Sequence, residues 1–204
     1  MASARATMVD IGFALAGESL PREHRQTLAE ALITRLPWLT ALPQAAVHRI
    51  NMSAGDGPLA LLSGRSRLSF RLPREQTGAL DALRGAQFEL GGCRLEVSGA
   101  PRQRELLPHG ALYAHTVVAA DEDELAFLAG VDAELQQLGV ACRRMCGRLQ
   151  RLVGEAQPLS AFSLMLDRLS PADAMLVLEH GIGPHRLWGC GVFVPHRSAT
   201  AVGL

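Results

Sequence analysis

The chain has 204 residues, with 20 basic side chains balancing 20 acidic ones and a 48% hydrophobic share. That share excludes a disordered chain, and no apolar run approaches the roughly 20 residues of a membrane-spanning helix. The length suits one large domain or two small ones, either able to bury an adequate core.

The first half opens, after a short Met1–Met8 tail without signal-peptide character, on an apolar strand near Val9–Leu15 closed by Gly17. A helix is expected from about Pro21, with Leu28, Ala31, Leu32 and Leu36 as its stripe and Pro37 as its stop. A second strand is expected near Ala46–Met52, then a turn at Gly55-Asp56-Gly57-Pro58. In the next strand Leu68, Phe70 and Leu72 alternate with Arg67, Ser69 and Arg71, placing Arg65, Arg67 and Arg71 on a face open to solvent or RNA. A short helix after Pro73 carries Leu80 and Leu83, and Phe88–Leu90 and Cys93–Val97 form a hairpin around Gly91-Gly92.

The second half repeats the rhythm. A strand near Ala111–Val118 leads to a helix over Asp121–Leu138, with Leu125, Leu128, Leu135 and Leu138 as its buried face and Gly139 as its end. An Arg-rich segment follows, then a strand near Leu159–Leu166. A helix capped by Ser170-Pro171 stops at Gly181, and a short strand spans Gly191–Val194. The expected fold is α+β: two tandem ferredoxin-like (RRM-like) halves with a C-terminal Gly-rich loop. The halves cover 1–100 and 111–204, joined by a linker over 101–110.

Every base is Arg; there is no Lys. GC-rich codon usage accounts for much of this, yet any grip on phosphate here falls to guanidinium. The charge is uneven: Ala119–Glu134 holds six acids and no base, whereas Ala141–Arg151 holds Arg143, Arg144, Arg148 and Arg151 and no acid. A helical reading puts Arg144, Arg148 and Arg151 on one face, fit for RNA phosphates; a solvated helix face is the alternative. The four cysteines, Cys93, Cys142, Cys146 and Cys190, are sparse, which reads as reduced thiols in a cytoplasmic protein. No metal ligand set emerges from them or from His109, His115 and His180, so no metal and no cofactor is expected. Tyr113 and His115 share a strand face without an assigned role.

The most specific segment is Gly181-Ile182-Gly183-Pro184-His185-Arg186-Leu187-Trp188-Gly189-Cys190-Gly191, which follows a helix and ends in a strand and so fails as a dinucleotide fingerprint. Its glycines allow close backbone approach to a ligand or to another strand. With this loop, with Leu20-Pro21-Arg22-Glu23-His24 ahead of an amphipathic helix, and with Ser66-Arg67-Leu68 and Gly189–Pro195, the chain resembles the CRISPR-associated endoribonucleases of the sixth Cas protein family. The likeness is to a compact branch of Myxococcus kind or a related type IV branch. It runs from Val9 to Pro195 and is weakest over Leu106–Gln157.

The resemblance implies metal-independent cleavage of CRISPR repeat RNA, in which a ribose 2′-hydroxyl attacks the adjacent phosphate and leaves a 2′,3′-cyclic phosphate. A base, an acid and a cation are then required, and His and Arg are the residues at hand. His24, in the first turn of the first helix, is the leading catalytic candidate, with His48 next and Arg22 or Arg25 as the cation. Gly181, Gly183, Arg186, Trp188, Gly189 and Gly191 join Arg143, Arg144, Arg148 and Arg151 as RNA-binding candidates. The implied partners are CRISPR repeat RNA and other Cas proteins of a surveillance complex, without a membrane. A non-catalytic or single-turnover crRNA-binding subunit of a surveillance complex is the alternative.

Overall fold

The structure is a computed structural model that describes residues 6–53, 57–154 and 157–196. The chain divides into two compact units, Met1–Glu105 and Leu106–Leu204, each described by itself.

In the first unit β1 (Met8–Ala16) runs at the centre of the sheet. A short β2 (Ser19–Pro21) then precedes α1 (Arg25–Arg35), a 3-10 turn (Pro37–Ala41) and β3 (Ala46–Val47). β4 (Leu59–Leu61), β5 (Arg67–Pro73), a 3-10 helix (Arg74–Leu83), β6 (Gln87–Leu90) and β7 (Cys93–Glu105) follow. The sheet order β3-β5-β1-β7-β6, antiparallel throughout, is the split ferredoxin-like arrangement extended by the β6 edge. Alternation decides its faces: Val9, Ile11 and Phe13 of β1 and Leu68, Phe70 and Leu72 of β5 are buried, and the rings of Phe13 and Phe70 meet edge to face at 6.4 Å.

Several expected elements differ. Ser19–Pro21 pairs with β4 as a separate two-stranded ribbon, so the helix starts at Arg25 and not at Pro21. Only Ala46–Val47 of the expected second strand pairs with β5, and the second helix is a 3-10 helix burying Leu80 and Leu83. Residues 54–56 of the expected turn lie outside the described residues. β7 continues to Glu105, so the first half of the segment read as a linker is strand, paired with β1 at Val9↔Glu105.

The second unit contains β8 (Ala111–Val118), α2 (Glu124–Leu138), β9 (Arg143–Leu152), β10 (Leu159–Asp167) and α3 (Pro171–His180). A 3-10 turn (Arg186–Trp188) and β11 (Phe193–Pro195) complete it, and the sheet order is β11-β8-β10-β9. Asp123 caps α2 through the amides of Leu125 and Ala126, Gly139 ends it in the left-handed region, and Ser170 caps α3 through the amide of Asp173. The buried face of α2 is Phe127, Val131 and Leu135; Leu125, expected inside, is 78% exposed. The helix is turned by Phe127, which stacks on Phe162 of β10 at 4.8 Å. The Arg-rich segment is the edge strand β9 and not a helix: eight of its ten residues pair along β10, and this pairing overrides the good helix propensity of Arg and Leu.

Candidate active site and nucleic-acid interface

His24 sits at the N-terminus of α1 with only 4% of its surface exposed. Its Nδ1 lies 2.7 Å from the carbonyl oxygen of Pro21. A carbonyl only accepts, so Nδ1 carries the proton, and in the neutral ring Nε2 keeps its lone pair. Burial, aided by the charges of Arg25 and Arg49, holds the imidazole below its ordinary pKa against the opposing pull of the Pro21 and Arg22 carbonyls. The result is a neutral imidazole in cationic surroundings, which is the state a general base requires. Arg22 and Arg25 separate in role. Arg22 donates from Nε to the Gly57 carbonyl at 2.7 Å and from its terminal nitrogen to the Ser53 carbonyl at 3.4 Å, which ties the entry of α1 to that loop. Arg25 and Arg49 are the charges that reach His24, and Arg49 is a neighbour that sequence reasoning did not single out.

His48 belongs to a second polar cluster in the same unit. Its Nε2 is 3.0 Å from Asp10 Oδ1, and Arg71 donates to both oxygens of that carboxylate. Burial alone would raise the Asp10 carboxyl, but the hydrogen bonds and charges of His48 and Arg71 outweigh it and hold the group far below the usual carboxylate range. Arg71, expected on an open strand face, is 1% exposed. The correction has a simple cause: its β1 partner in register is Asp10, so that face of the sheet carries a built-in counter-charge.

In the second unit the four arginines of β9 divide into two kinds. Arg144 pairs with Asp132 of α2, and Arg151 donates to both oxygens of Glu122, at 2.7 and 3.1 Å. The acid-rich and Arg-rich segments therefore neutralise each other in part, and the common helix face expected for 144, 148 and 151 does not exist. Arg143 and Arg148 are exposed and have no carboxylate partner among the described residues. Arg148 lies at a β-bulge, where its backbone N–H donates to Ser163 Oγ at 3.1 Å.

The glycine loop is packed more tightly than the sequence suggests. Gly181 and Gly191 are both left-handed, and a Cβ on Gly191 would lie 2.0 Å from the Ile182 carbonyl oxygen. Gly183 donates its amide to Glu134 of α2 at 2.9 Å, and Gly189 also takes a positive φ. Arg186 is 8% exposed; its guanidinium bonds the Glu179 and His180 carbonyls at the end of α3 and the Gly191 carbonyl. It closes the helix and does not present its fork to solvent, which corrects its expected role as a clamp. Trp188 packs against the cluster of Leu152, Ala161 and Cys190 and lies 4.6 Å from the His185 ring. Pro184 and His185 form the exposed tip.

Burial pushes the Cys142 and Cys146 thiols up to about 11, which leaves them poor nucleophiles. Among the described residues no three His, Cys, Asp or Glu side chains converge as a metal site, and no helix is long and apolar enough to cross a membrane.

The Cas6 family model, described as Cas6 Crispr, matches residues 9–198. This chain belongs to the Cas6 family. It is 32% identical over 195 residues to the CRISPR-associated endonuclease Cas6 of Myxococcus xanthus (strain DK1622), a match that covers 95% of this chain and 84% of the relative. Among solved structures, a CRISPR-associated protein Cas6 superposes with a TM-score of 0.66 at 11% identity, covering 93% of this chain and 100% of that one. A Cas6-related protein from Pyrococcus furiosus gives 0.60 at 14% identity, covering 94% and 99%. The endoribonuclease Cse3 bound to a 19-nucleotide RNA gives 0.52 at 14%, covering 94% and 98%. The expected family, its enzymatic character as a CRISPR-associated endonuclease, and the paired ferredoxin-like fold all hold.

Proposed function

We propose that this Cas6-family chain is a cytoplasmic endoribonuclease that binds CRISPR repeat RNA and cuts precursor crRNA within it, with no need of a metal ion. The ribose 2′-hydroxyl beside the scissile phosphate gives its proton to His24 Nε2. The 2′-oxygen then bonds to phosphorus, and the bond to the 5′-oxygen breaks as that oxygen takes up a proton. A 2′,3′-cyclic phosphate and a 5′-hydroxyl remain. The observation that carries this reading is the fixed tautomer of His24: a proton on Nδ1 held by the Pro21 carbonyl, and burial keeping the ring neutral. Arg25, whose charge reaches the His24 ring, serves as the cation for the phosphorane. Exposed Arg143 and Arg148, with the tip of the glycine loop, supply phosphate contacts.

Incubation of the purified protein with its repeat RNA in excess EDTA tests the reading. A product ending in a cyclic phosphate is expected, and loss of that product in His24→Ala. Cleavage that stops in EDTA, or that persists in His24→Ala, overturns it. The second reading, a crRNA-holding subunit without turnover, is favoured by the 4% exposure of His24, and tight binding without cleavage would establish it.

A further inference from the structure

The second unit holds a pocket of about 200 Å³ beneath α2, where the end of β8 and the start of the glycine loop meet the helix. Val117, Phe127, Val131 and Ile182 are buried and form its apolar floor. An apolar cavity of about 150 Å³ already holds a benzene-sized molecule, so the space suits an occupant of that order. Gly130 of α2 lines the opening, and a Cβ built on it would meet nothing within 4 Å. Glycine inside a helix costs stability. Here it leaves open a space that a larger side chain would cover.

Two carboxylates mark the rim, Asp121 and Glu134. Each spends an oxygen on a backbone amide: Asp121 Oδ1 accepts from Asp123 at 2.8 Å, and Glu134 Oε2 accepts from Gly183 at 2.9 Å. These bonds fix the carboxylates and leave each with further lone pairs. The neighbouring acids Glu122 and Asp132 are paired with Arg151 and Arg144, whereas Asp121 and Glu134 have no arginine partner among the described residues. By helix rise, roughly 15 Å of axis separates the start of α2 at Glu124 from Glu134, so the two charges stand toward opposite ends of the pocket.

We propose that this pocket binds a linear aliphatic diamine or polyamine, its methylene chain over Phe127 and Val131 and its ammonium groups at Asp121 and Glu134. Such a molecule buries an apolar stem while its charged ends stay in water, which is the division of surface found here. Each ammonium brings three donors to a carboxylate that can only accept, in a charge-assisted contact. The site is independent of the RNA chemistry proposed above and is tested on the protein alone.

Calorimetric titration of the RNA-free full chain with cadaverine and with spermidine should show saturable binding. Putrescine, one methylene shorter than cadaverine, should bind more weakly by up to roughly fourfold. Pentanediol, which matches the length of cadaverine without its charge, should bind at least about tenfold more weakly. Glu134→Gln, whose amide oxygen can still accept from Gly183, should weaken cadaverine binding about tenfold or more. Gly130→Leu covers the opening and is expected to abolish binding while its melting temperature holds or rises, since leucine is the better helix former. Absence of saturable binding, equal binding of the diol, or parent-like binding by folded Gly130→Leu overturns the proposal. If the chain cuts repeat RNA and ignores cadaverine, only this inference fails; if it binds cadaverine and cuts no repeat RNA, only the proposed function fails.

Discussion

Arg71 grips both oxygens of Asp10, Nε to Oδ1 at 2.8 Å and Nη2 to Oδ2 at 2.9 Å, although the guanidinium is 1% exposed. Removing one partner of such a buried pair leaves a desolvated charge behind. Asp10→Ala should therefore destabilise the protein by about 3–5 kcal/mol. Replacing both residues, as Asp10→Ala with Arg71→Met, should recover much of that loss. Denaturant titration of the two variants checks the difference.

The same carboxylate gives the fold an acid limit. Its pKa is depressed in the folded state, so its contribution is complete above the unfolded value near 3.8 and is lost as pH falls below that toward the folded one. Melting curves between pH 2 and 5 should show a fall in stability below about pH 4 that Asp10→Asn flattens.

His24 has the opposite dependence on charge. Its folded pKa lies below the ordinary 6.5, so the base form is already dominant at that pH. The acidic limb of the cleavage profile should therefore lie at lower pH than an ordinary imidazole would give. The same lowered pKa costs stability as pH drops below 6.5, because the unfolded chain binds the proton first. His24→Ala should reduce single-turnover cleavage by about 10²- to 10⁴-fold. A pH–rate profile with no acidic limb would argue against His24 as the base.

The two kinds of β9 arginine should separate in salt titrations. Arg143→Gln with Arg148→Gln should lower the slope of log affinity against log salt by about 1.4 to 1.8. Arg144→Gln with Arg151→Gln should lower it less, because those side chains already face Asp132 and Glu122. Equal slopes would mean that the ion pairs open on binding.

Gly191→Ala should disrupt the terminal loop. The position combines φ of +65° with a carbonyl 2.0 Å from the new Cβ, so left-handed strain of about 1–2 kcal/mol adds to a backbone clash. A lowered melting temperature with weakened repeat-RNA binding is expected, whereas Gly92→Ala, with nothing within 4 Å, should bear the strain alone.

Much of this architecture is legible in the sequence because local rules and tertiary pairing agree there. The alternation through Leu68, Phe70 and Leu72 and the caps at Ser170 and Gly139 needed no partner to be read. β9 was hidden because four arginines at helix-compatible spacing obey no strand alternation; the missing fourth strand of the split pattern was the signal for it. Arg71 and Arg186 were hidden for a different reason. Each looks like a surface cation until its counterpart is known, and those counterparts, Asp10 and the last carbonyls of α3, become adjacent only after folding. Of the candidate site, the prominence of His24 could be read from its place before an amphipathic helix, but its tautomer and its Arg49 neighbour could not.

The guanidinium of Arg186 works as a rivet between a helix end and the strand that leaves it. A riveted stem separates what must stay constant from what is free to vary. Pro184 and His185 protrude beyond it, so a library randomised at those two positions, with residues tolerant of a left-handed backbone at 185, would change the tip's chemistry while its mounting stayed fixed. Any test of the RNA contact proposed for this tip begins at those two residues.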